Sequence, residues 1–423
     1  MSLFPLRPVL WVFVSALGLA QTAPKLTVDQ VVEEALNRNL KLLADKYDIG
    51  VADARILQAR ARPNPVLYVQ GQYMDILGAG FGLTNPAGPP EFDIGANVTV
   101  EQRGKRTARI ELAQSVKAVT EMEFLSKTRA LIFEVQNAFV EAQLAEENAA
   151  ILRESSQALE TIVKLNQARV QAGDLAGVEL ARTEVAALQF ENQVLQAEAR
   201  FRAAKFRLQT LMGRTVMDPQ FDIVEEFRRE DLTKLLPEIQ ARALENRPEL
   251  LAARRDLERA RADIAYQQKQ TIGDTTFQLN FNRQWDIGIQ RGRAITLGLL
   301  QPIPVWNRNK GEIERASQER LQAQMRVRAI EAEIAGEAQN AFVRFTTAKQ
   351  LLTNIETRML DRAQRVRQTI DYSYRRGEAS FIELLDAQRA LSETRLSHNE
   401  ARAEYSKSLY LIESITGASV KRP

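Results

Sequence analysis

Thr276–Trp285 reads TFQLNFNRQW. Successive side chains of an extended chain point to opposite faces. Phe277, Leu279, Phe281 and Trp285 therefore share one side, and Gln278, Asn280, Asn282 and Gln284 the other. A helix would scatter the same residues around its axis. Other segments follow the pattern. In Ile94–Glu101, Ile94, Ala96, Val98 and Val100 alternate with Gly95, Asn97, Thr99 and Glu101; Ile295, Leu297 and Leu299 alternate with Thr296 and Gly298. Val66–Asp75 alternates less cleanly. Each segment has about the 9–11 residues of a membrane-crossing β-strand, apolar outside and polar inside. A half-buried sheet of a soluble protein has the same period, and alternation alone does not separate the two.

Four strands cannot close a membrane barrel, whose smallest form has about eight. Open sheet edges are not tolerated in lipid. If embedded, these strands require several chains to share one barrel. Leu77–Glu91 and Asp286–Arg293, which join the strand pairs, read as solvent loops on the far side of the membrane.

Outward from the strands, the chain repeats itself. QNAFV occurs at Gln136–Val140 and again at Gln339–Val343. Ala35-Leu36, Leu42-Leu43-Ala44, Asp48 and Ile56 return as Ala243-Leu244, Leu250-Leu251-Ala252, Asp256 and Ile264, at an offset of 208. Ile110-Glu111 and Ile313-Glu314 share the QNAFV offset of 203. Gly173, Glu179-Leu180 and Gly213 match Gly377, Glu383-Leu384 and Gly417 at 204. Ordered matches at nearly constant offset indicate a duplicated, domain-sized unit, with loop insertions between elements accounting for the drift.

Each half has one inner plan. A helix (about Val28–Arg60, about Leu232–Gln270) precedes two alternating segments, a very long helical stretch, a Gly-marked turn and a returning helix. Lys105–Ala172 contains neither Pro nor Gly, and Val135, Ala138, Phe139 and Ala142 have helical spacing. At 1.5 Å per residue the stretch reaches roughly 100 Å. The turns are Gln171–Asp174 and Arg375–Glu378. Glu312–Arg376 contains one glycine, Gly336, expected at a close helix contact. The organisation is a signal peptide at 1–20 and a first repeat at 21–213 (β-hairpin about 66–101, helical hairpin about 105–213). A linker at 214–231 leads to a second repeat at 232–417 (β-hairpin about 276–301, helical hairpin about 310–417) and a tail at 418–423.

The signal peptide rests on Arg7, the apolar run Val9–Leu19 and the small-residue ending Gly18-Leu19-Ala20, which places the mature start near Gln21. No other segment approaches the ~20 apolar residues of a membrane helix.

Composition excludes several functions. Lys and Arg total 57 against 54 acidic residues, so no basic footprint for nucleic acid exists. There is no cysteine, which removes disulfides, thiolate metal sites and Cys nucleophiles. The one histidine, His398, lies between Ser397 and Asn399 and reads as a surface helix residue. An acid–base site would need positioned partners. With 7 Met, one His and no Cys, a soft-metal site is not expected. No phosphate-binding loop is visible. No cofactor is expected, and the chain is not read as an enzyme. Arg103, Lys105 and Arg106 follow one strand, and Arg308 and Lys310 its counterpart; they read as solvated interfacial charges or contacts to lipid headgroups.

An exported chain with two repeats of helix, β-hairpin and long helical hairpin resembles the TolC-like outer-membrane efflux family. QPIPVWNRNKGEI at Gln301–Ile313 is similar to the family's strand-to-helix junction, in the version of the heavy-metal and cation efflux subgroup. Tyr374, Gly377, Ser380 and Glu383-Leu384-Leu385-Asp386-Ala387 resemble the segment after the second hairpin tip. The resemblance spans essentially the whole mature chain. It implies a mainly α fold with a small β part. In a homotrimer, four strands per chain would form a twelve-stranded barrel in outer-membrane lipid, continued by a periplasmic α-helical barrel of coiled-coil hairpins. Conduction would be passive, with an inner-membrane pump supplying energy and a periplasmic adaptor docking at Gly173, Asp174, Gly377 and Glu378. The cargo would be metal cations or small toxic compounds.

The family narrows at its periplasmic entrance, which the resemblance places near Glu383, Asp386, Glu179, Arg182 and Tyr374. Glu383 and Asp386 share a helix face. Six such carboxylates per trimer would favour cations, and Arg182 could pair with Asp386 between adjacent hairpins to hold the entrance closed. Two features depart from the family. Many relatives are acylated on a cysteine after the signal, and this chain has none. Some carry an arginine two residues after the second tip glycine, where this chain has Ala379. Two other readings stay open: an outer-membrane channel of type I protein secretion, and a soluble periplasmic coiled-coil adaptor or scaffold without membrane strands.

Overall fold

The computed structural model describes residues 25–74, 90–232, 235–285 and 292–417. The expectations for the signal segment, Gln21, most of both strand-joining loops and the C-terminal tail lie outside the described residues. The elements run α1 (Val28–Arg38), α2 (Leu40–Arg60), β1 (Val66–Gln72), β2 (Glu91–Val100), α3 (Lys105–Ala172), α4 (Gly177–Leu211), α5 (Leu236–Asn246) and α6 (Pro248–Lys269). They continue as β3 (Thr275–Gln284), β4 (Gly292–Leu300), α7 (Lys310–Asn354), a π-helical turn (Ile355–Met359), α8 (Leu360–Arg376) and α9 (Phe381–Ile415).

The strands form one antiparallel sheet in the order β1-β2-β3-β4, so β2–β3 pairing joins the two halves. Leu67, Ala96, Leu279 and Leu297 make one cross-strand row, and Val69, Ile94, Phe281 and Ile295 the next. Both rows lie on the same face. Leu297 is 79% exposed, and the other leucines, isoleucines and phenylalanines of these rows are also open to solvent. The strands contact one another, and among the described residues no helix packs across the sheet. A soluble half-buried sheet would bury its apolar face against a second layer, so this face does not fit that alternative.

The expected first helix of each half divides in two, at equivalent positions. Asn39 is extended, accepts from the Leu42 N–H at 3.0 Å and donates to the Leu211 carbonyl at 2.8 Å. Arg247 is extended because Pro248 follows it and starts α6 at the helical position that needs no N–H donor.

The duplicated pentapeptide marks the base of each long hairpin. Val135, Ala138, Phe139 and Ala142 of α3 pack on Val28, Val31 and Ala35 of α1. Ala338, Ala341 and Phe345 of α7 pack on Ile239 and Ala243 of α5. Ala138 and Ala341 are buried in both places, and a small residue there lets the short helix approach closely. The first copy is the more deeply packed: Gln136, Phe139 and Val140 are buried, whereas Gln339 and Val343 are exposed and Phe342 is partly buried.

One residue more separates QNAFV from the tip glycine in the second half than in the first. No loop absorbs it, contrary to expectation. It falls within the helix, as the π turn between α7 and α8, which takes an extra residue without breaking the rod. Deleting Thr357 is therefore expected to restore a regular α-helix, leave the tip in place and change stability by no more than about 1 kcal/mol. Thermal unfolding checks this; a loss of several kcal/mol would show that the wide turn itself is required.

The π turn also corrects the reading of His398. Its side chain is half-buried, with Nε2 3.2 Å from Glu356 Oε1, and Glu356 also accepts from Arg229 at 2.7 Å. Lys105 is no interfacial surface charge either. It is 3% exposed and bonded to Asp274 at 2.7 Å, linking the start of α3 to the start of β3. Arg106 donates to the Arg60 carbonyl at 2.8 Å. Gly336 makes no close contact within the chain, since a Cβ there would meet nothing within 4 Å.

Candidate functional site

Two regions stand out: the hairpin tips at the ends of α3 and α8, and the polar face of the sheet.

At the tips, Gly173 and Gly377 both have φ of 82°. Asp174 N–H donates to the Arg169 carbonyl at 2.8 Å, and Glu378 N–H to the Ser373 carbonyl at 2.9 Å. These equivalent left-handed closures satisfy carbonyls at the ends of α3 and α8. A Cβ at either glycine would meet nothing within 4 Å, so backbone conformation alone requires glycine there. Asp174 and Glu378 are exposed beside them.

Beneath the tips lies an apolar cluster of Leu159, Ile162, Ala186, Phe190, Tyr374, Phe381 and Leu384. A chain of polar groups crosses it. The Tyr374 hydroxyl donates to Asn166 Oδ1 at 2.6 Å, Asn166 Nδ2 donates to Thr183 Oγ1 at 2.9 Å, and Thr183 donates to the Glu179 carbonyl at 2.8 Å. Asn166 and Thr183 are fully buried. Arg169 lies 5.4 Å from the Tyr374 ring centroid and donates to the Arg375 carbonyl at 2.7 Å. Burial pushes the Tyr374 phenol above its ordinary range, against the opposing effect of Asn166. Tyr374 is 4% exposed. It therefore does not line an entrance, and instead ties the second hairpin to the first. Asn166, Thr183 and Arg169 escaped the sequence reading. Their signal was polar residues set into the apolar stripe Leu159, Ile162, Asn166 at helical spacing.

The acidic residues expected at the entrance have separate environments. Glu383 forms a capping box with Ser380: its carboxylate accepts the Ser380 N–H at 2.7 Å, and Ser380 Oγ accepts the Glu383 N–H at 3.2 Å. The Ser380 N–H, then its hydroxyl, holds Glu383 below the usual carboxylate range. Because the folded value is depressed, the contribution of this cap is present above the unfolded pKa and lost as pH falls through the folded one. Arg182 donates to Glu179 at 2.8 Å, one turn away on α4. The expected Arg182–Asp386 link is thus absent within the chain, because the nearer carboxylate on its own helix takes the guanidinium. Asp386 is exposed and forms no ion pair among the described residues.

The polar face of the sheet is a lattice of amides and carboxylates. Asp93 accepts from Gln72 at 2.9 Å and Asn282 at 2.8 Å, and Glu91 from Gln284 at 2.7 Å. Thr99 and Thr276 meet at 3.0 Å. Glu91 and Asp93 were not singled out in the sequence, although the alternation of Ile94–Glu101 continues back through both. Gly95 makes room for this lattice. A Cβ there would sit 2.7 Å from Tyr68 Cε1 and 2.8 Å from the Leu279 carbonyl. Gly95→Val is expected to destabilise the sheet by about 1–3 kcal/mol through overpacking. Denaturant unfolding in detergent measures it; an unchanged midpoint would mean that the lattice is loose.

Comparison with known proteins follows from this geometry. The sequence pattern of the outer membrane efflux protein family matches residues 31–214 and 240–418. The chain is 22% identical to the cobalt-zinc-cadmium resistance protein CzcC of Cupriavidus metallidurans, over 94% of this chain and 91% of that protein. The fold is similar to the CmeC outer membrane channel of Campylobacter jejuni, with a TM-score of 0.78 at 16% identity over 92% of this chain and 85% of that one. It is also similar to CusC, described as forming a transmembrane channel, with a TM-score of 0.75 at 17% identity over 92% of each chain.

Proposed function

The chain belongs to the outer membrane efflux protein family, and from that membership we propose that three copies close one twelve-stranded barrel, the unpaired edge of β4 in each copy meeting β1 of the next. The protein is an outer-membrane channel component of a tripartite efflux system and not an enzyme. The observation that carries the trimeric barrel is the bare sheet, with an exposed apolar face, a polar face and two free edges. Closure by further copies removes both edges and leaves the polar face as a water-filled lumen. The long hairpins continue that lumen through the periplasm. Export uses the N-terminal signal, and without cysteine the mature chain carries no thioether-linked lipid.

The cargo is divalent metal cations. The name of the Cupriavidus relative supports this, as do the charges. Glu383 and Asp386 are exposed on one face of α9, close behind the Gly377 tip. Three copies place six carboxylates around the entrance, which favours cations. The chain acts as a passive pipe, driven by an inner-membrane pump through a periplasmic adaptor. Removing the protein from its host should abolish resistance to divalent cations. Unchanged cation resistance with loss of a secreted protein would move the reading to type I secretion.

The adaptor docks at the tips, where Gly173-Asp174 and Gly377-Glu378 are exposed on rigid rods. Gly377→Val is expected to cost about 1–2 kcal/mol of local strain, too little to unfold the hairpin, and to impair adaptor cross-linking. Full cross-linking and full efflux in a folded variant would limit the glycines to capping.

A further inference from the structure

The apolar face of the sheet changes character at one level. In the row Gly71, Phe92, Arg283, Arg293, two guanidinium groups occupy positions in line with Phe281 and Ile295 one step along each strand. Arg283 on β3 and Arg293 on β4 are direct cross-strand partners. Like charges in that relation repel. Neither forms an ion pair among the described residues, and Arg283 Nε is buried without a hydrogen-bond partner. The Arg283 guanidinium lies 5.0 Å from the Trp285 ring centroid. Among the described residues, these two adjacent cations, the unused donor and the aromatic floor have no anion beside them.

The depth of the row says where that anion comes from. Arg283 stands near the end of β3 that leads to the strand-joining loop, away from the helices. The opposite end of the sheet carries Ile303 and Trp306, the latter 96% exposed. Strand rise places the Arg283 row about 27 Å along β3 from its first row; at the tilt of about 40° usual for barrel strands this is about 20 Å along the membrane normal, toward the outer edge of the roughly 25 Å apolar band. Trp285 and Trp306 are then anchors at the two interfaces, and the arginines sit at the level of the headgroups of the leaflet that faces out of the cell.

We propose that Arg283 and Arg293 form a binding site for the phosphate of an anionic outer-leaflet lipid, three sites per trimer, with Trp285 flanking each. The planar guanidinium fork matches phosphate oxygens in a way that a lysine ammonium does not. A bound phosphate bridges the two cations and converts their repulsion into a link between β3 and β4. The site rests on the outer-membrane placement of the sheet.

The test uses the full mature chain, extracted as the assembled oligomer and placed in nanodiscs. Native mass spectrometry counts bound lipid, with a phosphorylated glucosamine-disaccharide lipid and the same lipid stripped of phosphate as probes. The wild type should hold up to three phosphorylated lipids per trimer. Arg283→Gln with Arg293→Gln should weaken that binding about tenfold or more, and Arg293→Lys should weaken it less. If the double variant does not assemble, Arg293→Gln alone serves, since its side chain is exposed. Equal retention by wild type and variant, or equal binding of the phosphate-free lipid, overturns the site. Inorganic phosphate bound as tightly as the lipid would make it an ion site and overturn the lipid assignment. A wild-type chain that never enters a bilayer fails the membrane placement itself, a distinguishable result.

Discussion

Leu279→Arg is expected to cost the assembled protein about 2–4 kcal/mol. Leu279 lies midway along β3, in the row with Ala96 and Leu297, and more than half of its surface is open in the single chain. A guanidinium at that depth would face hydrocarbon with no route to the headgroups. One position earlier, Gln278 faces the polar side, so Gln278→Arg puts the same charge into the lumen and should cost less than about 1 kcal/mol. Urea unfolding of both variants in lipid vesicles measures the difference. Equal costs on the two faces would contradict a lipid-facing surface, because only the bilayer makes neighbouring positions so unequal.

Asn166→Ala is expected to cost about 2–4 kcal/mol at the other end of the molecule. The variant leaves the buried Tyr374 hydroxyl without an acceptor, which costs about 1–3 kcal/mol, and opens a cavity beside Leu159 and Ile162. Tyr374→Phe strands Asn166 Oδ1 instead and should cost about 1–2 kcal/mol. In the double variant the costs should fall short of their sum, because both remove the same bond. Since this bond ties the two hairpins together, Asn166→Ala should also raise protease sensitivity near both tips. Additive costs, or sensitivity confined to one tip, would show that the pair does not couple the hairpins.

The alternation of TFQLNFNRQW was legible because a strand's period is a local property, and the register pairs each residue of that apolar face with an apolar or small neighbour until Arg283. The capping box of α9 was legible as well: Ser380 and Glu383 stand at the spacing that signals a helix start. Their placement within the family's motif drew attention to a gate instead. Pro248 marks the break between α5 and α6 in the sequence, and Asn39 its counterpart, but in the sequence reading each half opens on one helix. Lys105–Asp274 and Tyr374–Asn166 were not legible, since their partners stand 169 and 208 residues apart. A buried lysine also runs against its usual surface preference. The one-residue drift between the halves was visible in the sequence. That it sits in a π turn was not, because an insertion carries no mark of whether a loop or a helix absorbs it.

Single-channel recording tests the central claim most directly. The purified mature chain, added to a planar lipid bilayer, should insert as an assembled oligomer and produce discrete conductance steps. Those steps should favour cations over anions, and Glu383→Gln with Asp386→Asn should reduce that preference. A folded protein that assembles and inserts yet passes no current under any voltage, or one that remains in solution, would contradict a conduit built from the four strands and long hairpins of each chain.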